Sequence, residues 1–508
     1  MVQYIMLQGT SSHVGKSIIA TALCRIFHQE GRQVVPFKAQ NMALNSYVTR
    51  DGLEMGRAQV AQAEAAGLEP QVDMNPVLLK PTGNSCSQVI IQGRPLGNMS
   101  AREYHMGYSL RAFSAVTAAL ERLKSRYDTL VIEGAGSPAE VNLKDHDIVN
   151  MRVAKYLQAP VLLVADIDRG GSLAAIVGTL ELLDEEERNL VKGLIINKFR
   201  GDVSLFQPAV DFLEEKTGKP VLGVVPFIEN LGIDDEDSVS LEDKQSRPEH
   251  KALRIAVIQV PKISNFTDFD SLAAEPDVSV YYVRDDEEWG QPDLVILPGS
   301  KNTIEDMDWL RQTGLADRIQ HAVEAGIPLI GICGGYQMLG RYIADPEHSE
   351  SAEDRIEGLD FLDMTTHFTR EKLTSQVTAV CRDLPFLGQS ITAGSLQGYE
   401  IHMGKSHVHD GICPFIVTER LGKACKDISG AARRDGLVWG TYIHGIFDND
   451  AFRRAVLNAL RTHKGLDSVA TGYHFHCEKE KNYDRLADVV RQHLRMDVLR
   501  RIMGGDNA

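Results

Sequence analysis

No stretch of about 18 or more apolar residues occurs in the chain, so no segment reads as a membrane-spanning helix. A basic excess is missing too. Lys and Arg number 54 against 70 Asp and Glu, a net charge of −16, which leaves no basic face to follow a nucleic-acid backbone. A local cluster of cations can still hold an anionic small molecule against that field. Cysteine is scarce: the seven, at 24, 86, 333, 381, 413, 425 and 477, are odd in number and form no close CxxC pair. That excludes a disulfide scaffold and fits a reducing cytoplasm. His474, His476 and Cys477 have metal-ligand spacing but lack a second pair of ligands, so zinc is not expected there. The start, MVQYIMLQGTSSHVGKS, lacks the basic n-region of a signal peptide. Repeats and low-complexity tracts are absent as well. What remains is a soluble cytoplasmic protein, long enough at 508 residues for two or three domains.

What is present is an alternation of short apolar runs with helical patterns, the mark of βαβ units around a mainly parallel sheet. Strands are predicted over 4–7, 34–37, 129–132, 161–164, 193–196 and 221–225, with helices over 17–28, 55–66 and 109–124. The stretch NLGIDDEDSVSLEDKQSRPEHK is rich in charge and poor in apolar residues, as a linker is. After it the alternation restarts, with strands over 254–260, 278–283, 294–297 and 329–332, and the chain closes on amphipathic helical patterns. The expected domains are 1–230, a linker over 231–251, a second α/β domain over 252–450, and a helical tail over 451–508 packed on that second domain.

The first strand runs into Gly9-Thr-Ser-Ser-His-Val-Gly15-Lys16-Ser17, and a helix follows at once. Glycines let successive N–H groups turn inward, and the helix start adds partial positive charge, so the loop suits a phosphate. Gly9, Thr10 and Gly15 supply backbone, Lys16 the cation for the β- and γ-phosphates of ATP, and Ser17 a hydroxyl for Mg²⁺. Five residues separate the two glycines where the strict motif has four, and this long form resembles the loop of dethiobiotin synthetase. Phosphoryl transfer also needs carboxylates on the metal. Glu133 ends one strand and is the first candidate; Asp166 and Asp168 end another, and the other role of a strand-end acid is to cap a helix or pair with a neighbour. Lys38, in PFKAQNM, offers a cation between γ-phosphate and substrate carboxylate. Asn197 and Lys198 resemble the adenine-side residues of that family, though an Asn at a strand end is also a turn former.

A second site is carried by Gly331-Ile-Cys333-Gly-Gly335-Tyr-Gln337, where a strand turns sharply into a helix. A nucleophile on such a turn needs small neighbours so that a carbonyl can approach. His444, in TYIHGIF, is the candidate base, and the fold must bring it to the thiol. Gly299 and Gly334 are candidate backbone donors to an oxyanion. These residues match the class I glutamine amidotransferases, with one departure. Most of that class carry a Glu two residues after the histidine, and position 446 is Ile. Another acceptor, or packing, must orient His444; Glu400 and His402 are either helpers or ordinary loop residues.

The long phosphate loop, the glycine-flanked thiol and the YIHGIF histidine, with PFKAQNMALNS, NPVLLKP and VPKISNFTDFD, closely resemble the cobyric acid synthase family from about residue 3 to 490. The resemblance implies an N-terminal dethiobiotin-synthetase-like domain and a C-terminal amidotransferase domain. It also implies ATP- and glutamine-dependent amidation of the b, d, e and g carboxylates of a corrinoid polycarboxylate, adenosylcobyrinic acid a,c-diamide. Lys38, Asn41 and Lys80 are expected on an open surface that takes that substrate. Two rivals stand beside this reading: the sister enzyme that makes the a,c-diamide, and a ParA-like switch ATPase, which carries no thiol elbow.

Overall fold

Each set of apolar runs becomes a sheet with helices on both faces, and the two sheets belong to different units. The computed structural model describes residues 2–83, 86–229, 231–233, 248–470 and 473–504. Residues 234–247 of the expected linker lie outside them. One unit holds Met1–Met42, Met55–Ile233 and Lys479–Ala508; the other holds Ala43–Glu54 and Asp234–Glu478.

In the first unit the strands are β1 (Gln3–Gly9), β2 (Val34–Phe37), β3 (Thr129–Glu133), β4 (Val161–Asp166), β5 (Val191–Phe199) and β6 (Val221–Pro226). They pair in the order β6-β5-β4-β1-β3-β2, all parallel. Their near-continuous Val, Ile and Leu content fits strands covered on both faces. Helix α1 (Lys16–Gln29) buries Ile19, Leu23 and Phe27 in that cover. β1 sits inside the order with later strands on both sides, so the ends of β1, β3 and β4 frame a crevice at a switch point. A further four-stranded sheet, Gln40–Met42, Val77–Gly83, Cys86–Ile91 and Arg94–Ser100, has no counterpart in the sequence reading.

The second unit is built on β7 (Leu253–Ile258), β8 (Val278–Val283), β9 (Leu294–Leu297), β10 (Leu329–Ile332), β11 (Gly430–Ala432) and β12 (Val438–Thr441). Their order is β8-β7-β9-β10-β12-β11, parallel except for the last pair. The short helix α2 (Gly334–Met338) follows β10 directly. A long antiparallel hairpin, Met364–Phe386 with Gln389–Val408, extends from this core.

Two expectations about the division of the chain are corrected. Of the helical tail, only α3 (Asp450–His463) packs into the second unit's core, through Phe452, Val456 and Leu460. The last helices, α4 (Phe475–His493) and α5 (Met496–Ile502), bury Tyr483, Leu486, Val490 and Leu499, with Leu494 between them, in one core with Ile19, Leu23 and Phe27 of the first unit. Their apolar face fits there because Gly223 leaves room: a Cβ on it would stand 1.9 Å from the His493 carbonyl oxygen. Arg25 also bonds Asp484, at 2.7 Å. The other correction is at Ala43–Glu54. This segment was expected in the first domain and folds with the second unit, against the long hairpin.

Candidate active sites

Around the phosphate loop the backbone dictates the residues. Gly15 has φ 92°, which only glycine adopts without strain, and a Cβ there would lie 2.1 Å from Asn197 Nδ2. Gly9 is equally constrained, with Ser11 O and Val14 Cγ2 both 2.7 Å from where its Cβ would stand. Thr10 N–H donates to Val164 O at 2.9 Å, and Asn197 Nδ2 donates to Val14 O at 2.8 Å, so β4 and β5 brace the loop. Asn197 therefore supports the loop's shape here. Lys16 Nζ bends back over it to Ser11 O and Gly136 O, at 3.2 and 3.3 Å.

Glu133, fully buried at the end of β3, gathers the polar side chains of this crevice. Its carboxylate accepts from Ser17 Oγ at 2.7 Å, from Lys38 Nζ at 2.9 Å and from Gln62 Nε2 at 2.6 Å. A loop hydroxyl beside a strand-end carboxylate is a donor set that suits Mg²⁺, a hard cation that takes oxygen ligands. Asp166 instead pairs with Lys198 at 2.9 Å, and Asp168 with Arg200 at 3.2 Å. Lys38, Asn41 and Lys80 do not lie on an open surface; all three are buried, and Asn41 Nδ2 donates to Gln59 Oε1 at 3.1 Å. A cavity of about 730 Å³ opens by the loop instead, lined by Ser12, Met42, Tyr104, Gly136, Lys144 and Arg152 among others.

The thiol site is assembled as tightly. Cys333 has φ 50° and ψ −105°, a strained conformation for a residue with a Cβ. Its glycine neighbours are required sterically. A Cβ on Gly335 would stand 2.0 Å from Leu297 O, and one on Gly331 2.6 Å from Gly335 O. Gly334 opens α2, so no earlier turn uses its N–H, and a Cβ there would lie 2.7 Å from Ser300 N. Gly299 pairs with Ser264, and its Cβ position falls 3.2 Å from His444 Cε1. Cys333, Gly334, Gly299 and His444 thus converge on one turn.

His444 is buried, and its Nδ1 meets Asp268 Oδ2 at 2.7 Å; Asp268 Oδ1 accepts the Gly445 N–H at 2.9 Å. Asp268 is the orienting acid that the missing Glu at 446 left open. The sequence offered one signal for it, an acid in the otherwise uncharged run Asn-Phe-Thr-Asp-Phe, but it lies 176 residues from the histidine. Burial alone would lower the His444 imidazole; the Asp268 carboxylate and the Cys333 sulfur outweigh it and raise it to about 10. With Nδ1 taken by Asp268, Nε2 is the ring nitrogen left to face the Cys333 sulfur. Tyr399 stacks on the imidazole with centroids 5.1 Å apart and planes at 19°. Glu400 is no helper, being held by Arg420 and Ser429. His402 Nδ1–H donates to Gly404 O at 2.7 Å, and the ring stacks on Tyr442; burial pushes it down to about 4, so it stays neutral.

Comparison with known proteins covers both halves. The family described as "CobQ/CobB/MinD/ParA nucleotide binding domain" matches residues 5–240, and "CobB/CobQ-like glutamine amidotransferase domain" matches 254–452. A cobyric acid synthase of Pelotomaculum thermopropionicum is 56% identical over 99% of this chain and 97% of its own. One from Moorella thermoacetica is 55% identical over 99% and 98%, and one from Dehalococcoides mccartyi 48% identical over 99% of each.

Proposed function

From the premise that this chain belongs to the cobyric acid synthase family, we propose that Cys333 and His444 release ammonia from glutamine and that the phosphate-loop crevice joins it to corrin carboxylates at the expense of ATP. The enzyme is a glutamine-dependent amidating ligase of cobalamin biosynthesis. The observation that carries the division of labour is the pairing, in one chain, of a strained thiol facing a buried His–Asp pair with a Ser17–Glu133 site on a phosphate loop.

At the thiol site, His444 Nε2 first takes and holds the Cys333 proton, and the sulfur left negative then attacks the side-chain carbonyl carbon of glutamine. Asp268 holds Nδ1 and stabilises the imidazolium so formed. The Gly299 and Gly334 N–H groups receive the oxyanion. As the C–N bond breaks, His444 returns the proton to the departing nitrogen; ammonia leaves, and water then cleaves the thioester to glutamate. At the other site a substrate carboxylate oxygen attacks the γ-phosphorus of ATP, ADP leaves, and ammonia displaces phosphate from the acyl phosphate. Lys16 and Lys38 are the cations that offset charge on the transferring group. Mg²⁺, held by Ser17 and Glu133, would supply further neutralisation of the phosphates.

The substrate we assign is adenosylcobyrinic acid a,c-diamide, amidated at its b, d, e and g carboxylates. All seven thiols are free, which suits the reducing cytoplasm in which we place the reaction, and no helix among the described residues is long and apolar enough to cross a membrane. Incubation with this corrinoid, ATP and glutamine should give successive losses of about 1 Da, the exchange of OH for NH₂. A start from the unamidated acid would point to the sister enzyme instead. Replacing Cys333 with Ala should abolish synthesis from glutamine and leave synthesis from ammonium intact. Retained glutamine-dependent turnover in that variant would refute the thiol assignment.

A further inference from the structure

The histidine of the thiol site is braced by a piece of chain from the phosphate-loop half of the sequence. Ala43–Glu54 folds with the second unit, and Asn45, Ser46 and Val48 are fully buried there. On one side it grips the loop that carries Asp268. Thr267 Oγ1 donates to Asn45 Oδ1 at 3.2 Å, and the Ser46 N–H donates to Asn265 Oδ1 at 3.0 Å. Asn265 has φ 52°, a left-handed conformation, and its own carbonyl receives the Asp268 N–H at 3.0 Å. A residue held in that region persists because its surroundings over-determine it, and the Ser46 bond is part of that restraint.

On the other side the segment fixes the ring that covers the imidazole. The Tyr399 hydroxyl donates to Ser46 O at 3.2 Å, and Tyr47 meets the Tyr399 ring edge-on at 5.3 Å. Tyr399 and His444 form a reciprocal backbone pair, His444 N–H to Tyr399 O at 2.9 Å and Tyr399 N–H to His444 O at 3.2 Å. Residues directly opposite in such a pair place their side chains on one face, so the Tyr399 ring lies flat against the imidazole. Further anchors tie the segment down: Thr374 Oγ1 donates to Gly52 O at 2.7 Å, and Lys372 pairs with Glu54 at 2.5 Å.

We infer that Asn45 and Tyr399 are positioning residues of glutamine cleavage: Ala43–Glu54 steadies the Asp268 loop through Asn45 and, through the Ser46 carbonyl, the aromatic ring that lies on His444. Neither side chain touches glutamine or the reacting atoms. Their effect is on the orientation of the imidazole against the thiol, a geometry to which rates are steeply sensitive. The inference rests on the reading of Cys333 and His444 as the glutamine-cleaving pair.

The test uses the full chain with glutamine, and with ammonium as the second nitrogen source. Tyr399→Leu should lower kcat for glutamine about tenfold or more while its KM stays within about twofold, because geometry rather than binding is lost. The ammonium-driven rate should be unchanged. Tyr399→Phe keeps the ring face but loses the bond to Ser46 O, so its kcat should lie between those of Tyr399→Leu and the unaltered protein. Asn45→Ala and Thr267→Val should each slow glutamine use, and the double variant should be no slower than the slower single one. An unchanged kcat in Tyr399→Leu, a parallel fall of the ammonium-driven rate, or additive losses in the Asn45–Thr267 pair would overturn the inference. Cys333→Ala is the control. If that variant still used glutamine, the underlying reading would fail; if it did not, a null result at Tyr399 would count against positioning alone.

Discussion

Asp268 reaches His444 by folding alone. Its charge holds a proton on a buried imidazole, and this fixes the pH behaviour expected of both rate and stability. His444 is raised from 6.5 to about 10, so the stabilisation it contributes is fully present below pH 6.5 and is lost as pH rises through about 10. Asp268→Asn removes the charge and lets the imidazole fall back toward its ordinary range. The alkaline limb of the glutamine-dependent rate should therefore move to lower pH, with kcat reduced on the order of 100-fold or more. The loss of thermal stability in that variant should be greatest at or below pH 6.5 and should shrink as the pH approaches 10. An unshifted alkaline limb would show that Asp268 does not hold the proton. Individual residues of this kind divide sharply in how far the sequence discloses them. Cys333, Ser17 and Lys16 announce themselves because their motifs are local and their glycines are sterically obligatory. Asp268, Gln62 and Tyr399 do not, because each acquires its role only from a partner brought up by the fold.

Among the elements, the strand–elbow–helix of β10 and α2 shows why its glycines admit no substitute. At Gly335 the nearest obstacle to a side chain is the backbone carbonyl of Leu297, at 2.0 Å, and not the tip of a flexible group. A methyl there must push β9 and α2 apart. Gly335→Ala should cost about 1–3 kcal/mol or more and displace Cys333 from His444. Expected outcomes are a lower Tm and loss of glutamine-dependent synthesis, with ammonium-driven synthesis retained; a variant with wild-type glutamine kinetics would refute the steric account. Most core strands are legible at this scale: 34–37, 278–283, 294–297 and 329–332 coincide with the structure residue for residue. Antiparallel additions such as Met364–Phe386 with Gln389–Val408 are not. Their long strands mix exposed and buried faces and follow no short apolar run.

For the molecule as a whole, the two units are interleaved along the chain. The first needs Lys479–Ala508, whose helices cover Ile19, Leu23 and Phe27. A chain ending at Glu478 would expose that face. With each large apolar side chain contributing about 1.5–3 kcal/mol when buried, the first unit should lose most of its stability. ATP-dependent synthesis from ammonium should disappear, and thermal melting should show an early transition; an unaltered first transition would mean that α4 and α5 are ornamental. The sequence pattern discloses these helices as amphipathic but not which core they complete, because an apolar stripe specifies that something covers it without naming the partner.

The ribosome makes this protein from one end, and interleaving turns that direction into a constraint. The phosphate-loop sheet is made well before its covering helices, so that core must stay open until Lys479–Ala508 has followed. Ala43–Glu54 waits as well, for a unit whose remaining residues are made from Asp234 onward. The second unit is complete only in a fragment that runs from Ala43 to Glu478, and the first only in one that runs from Met1 to Ala508. A nascent chain cut short at any internal position thus leaves an unclosed core, recognisable to proteases and chaperones, and an ATP-consuming half cannot accumulate without its source of nitrogen.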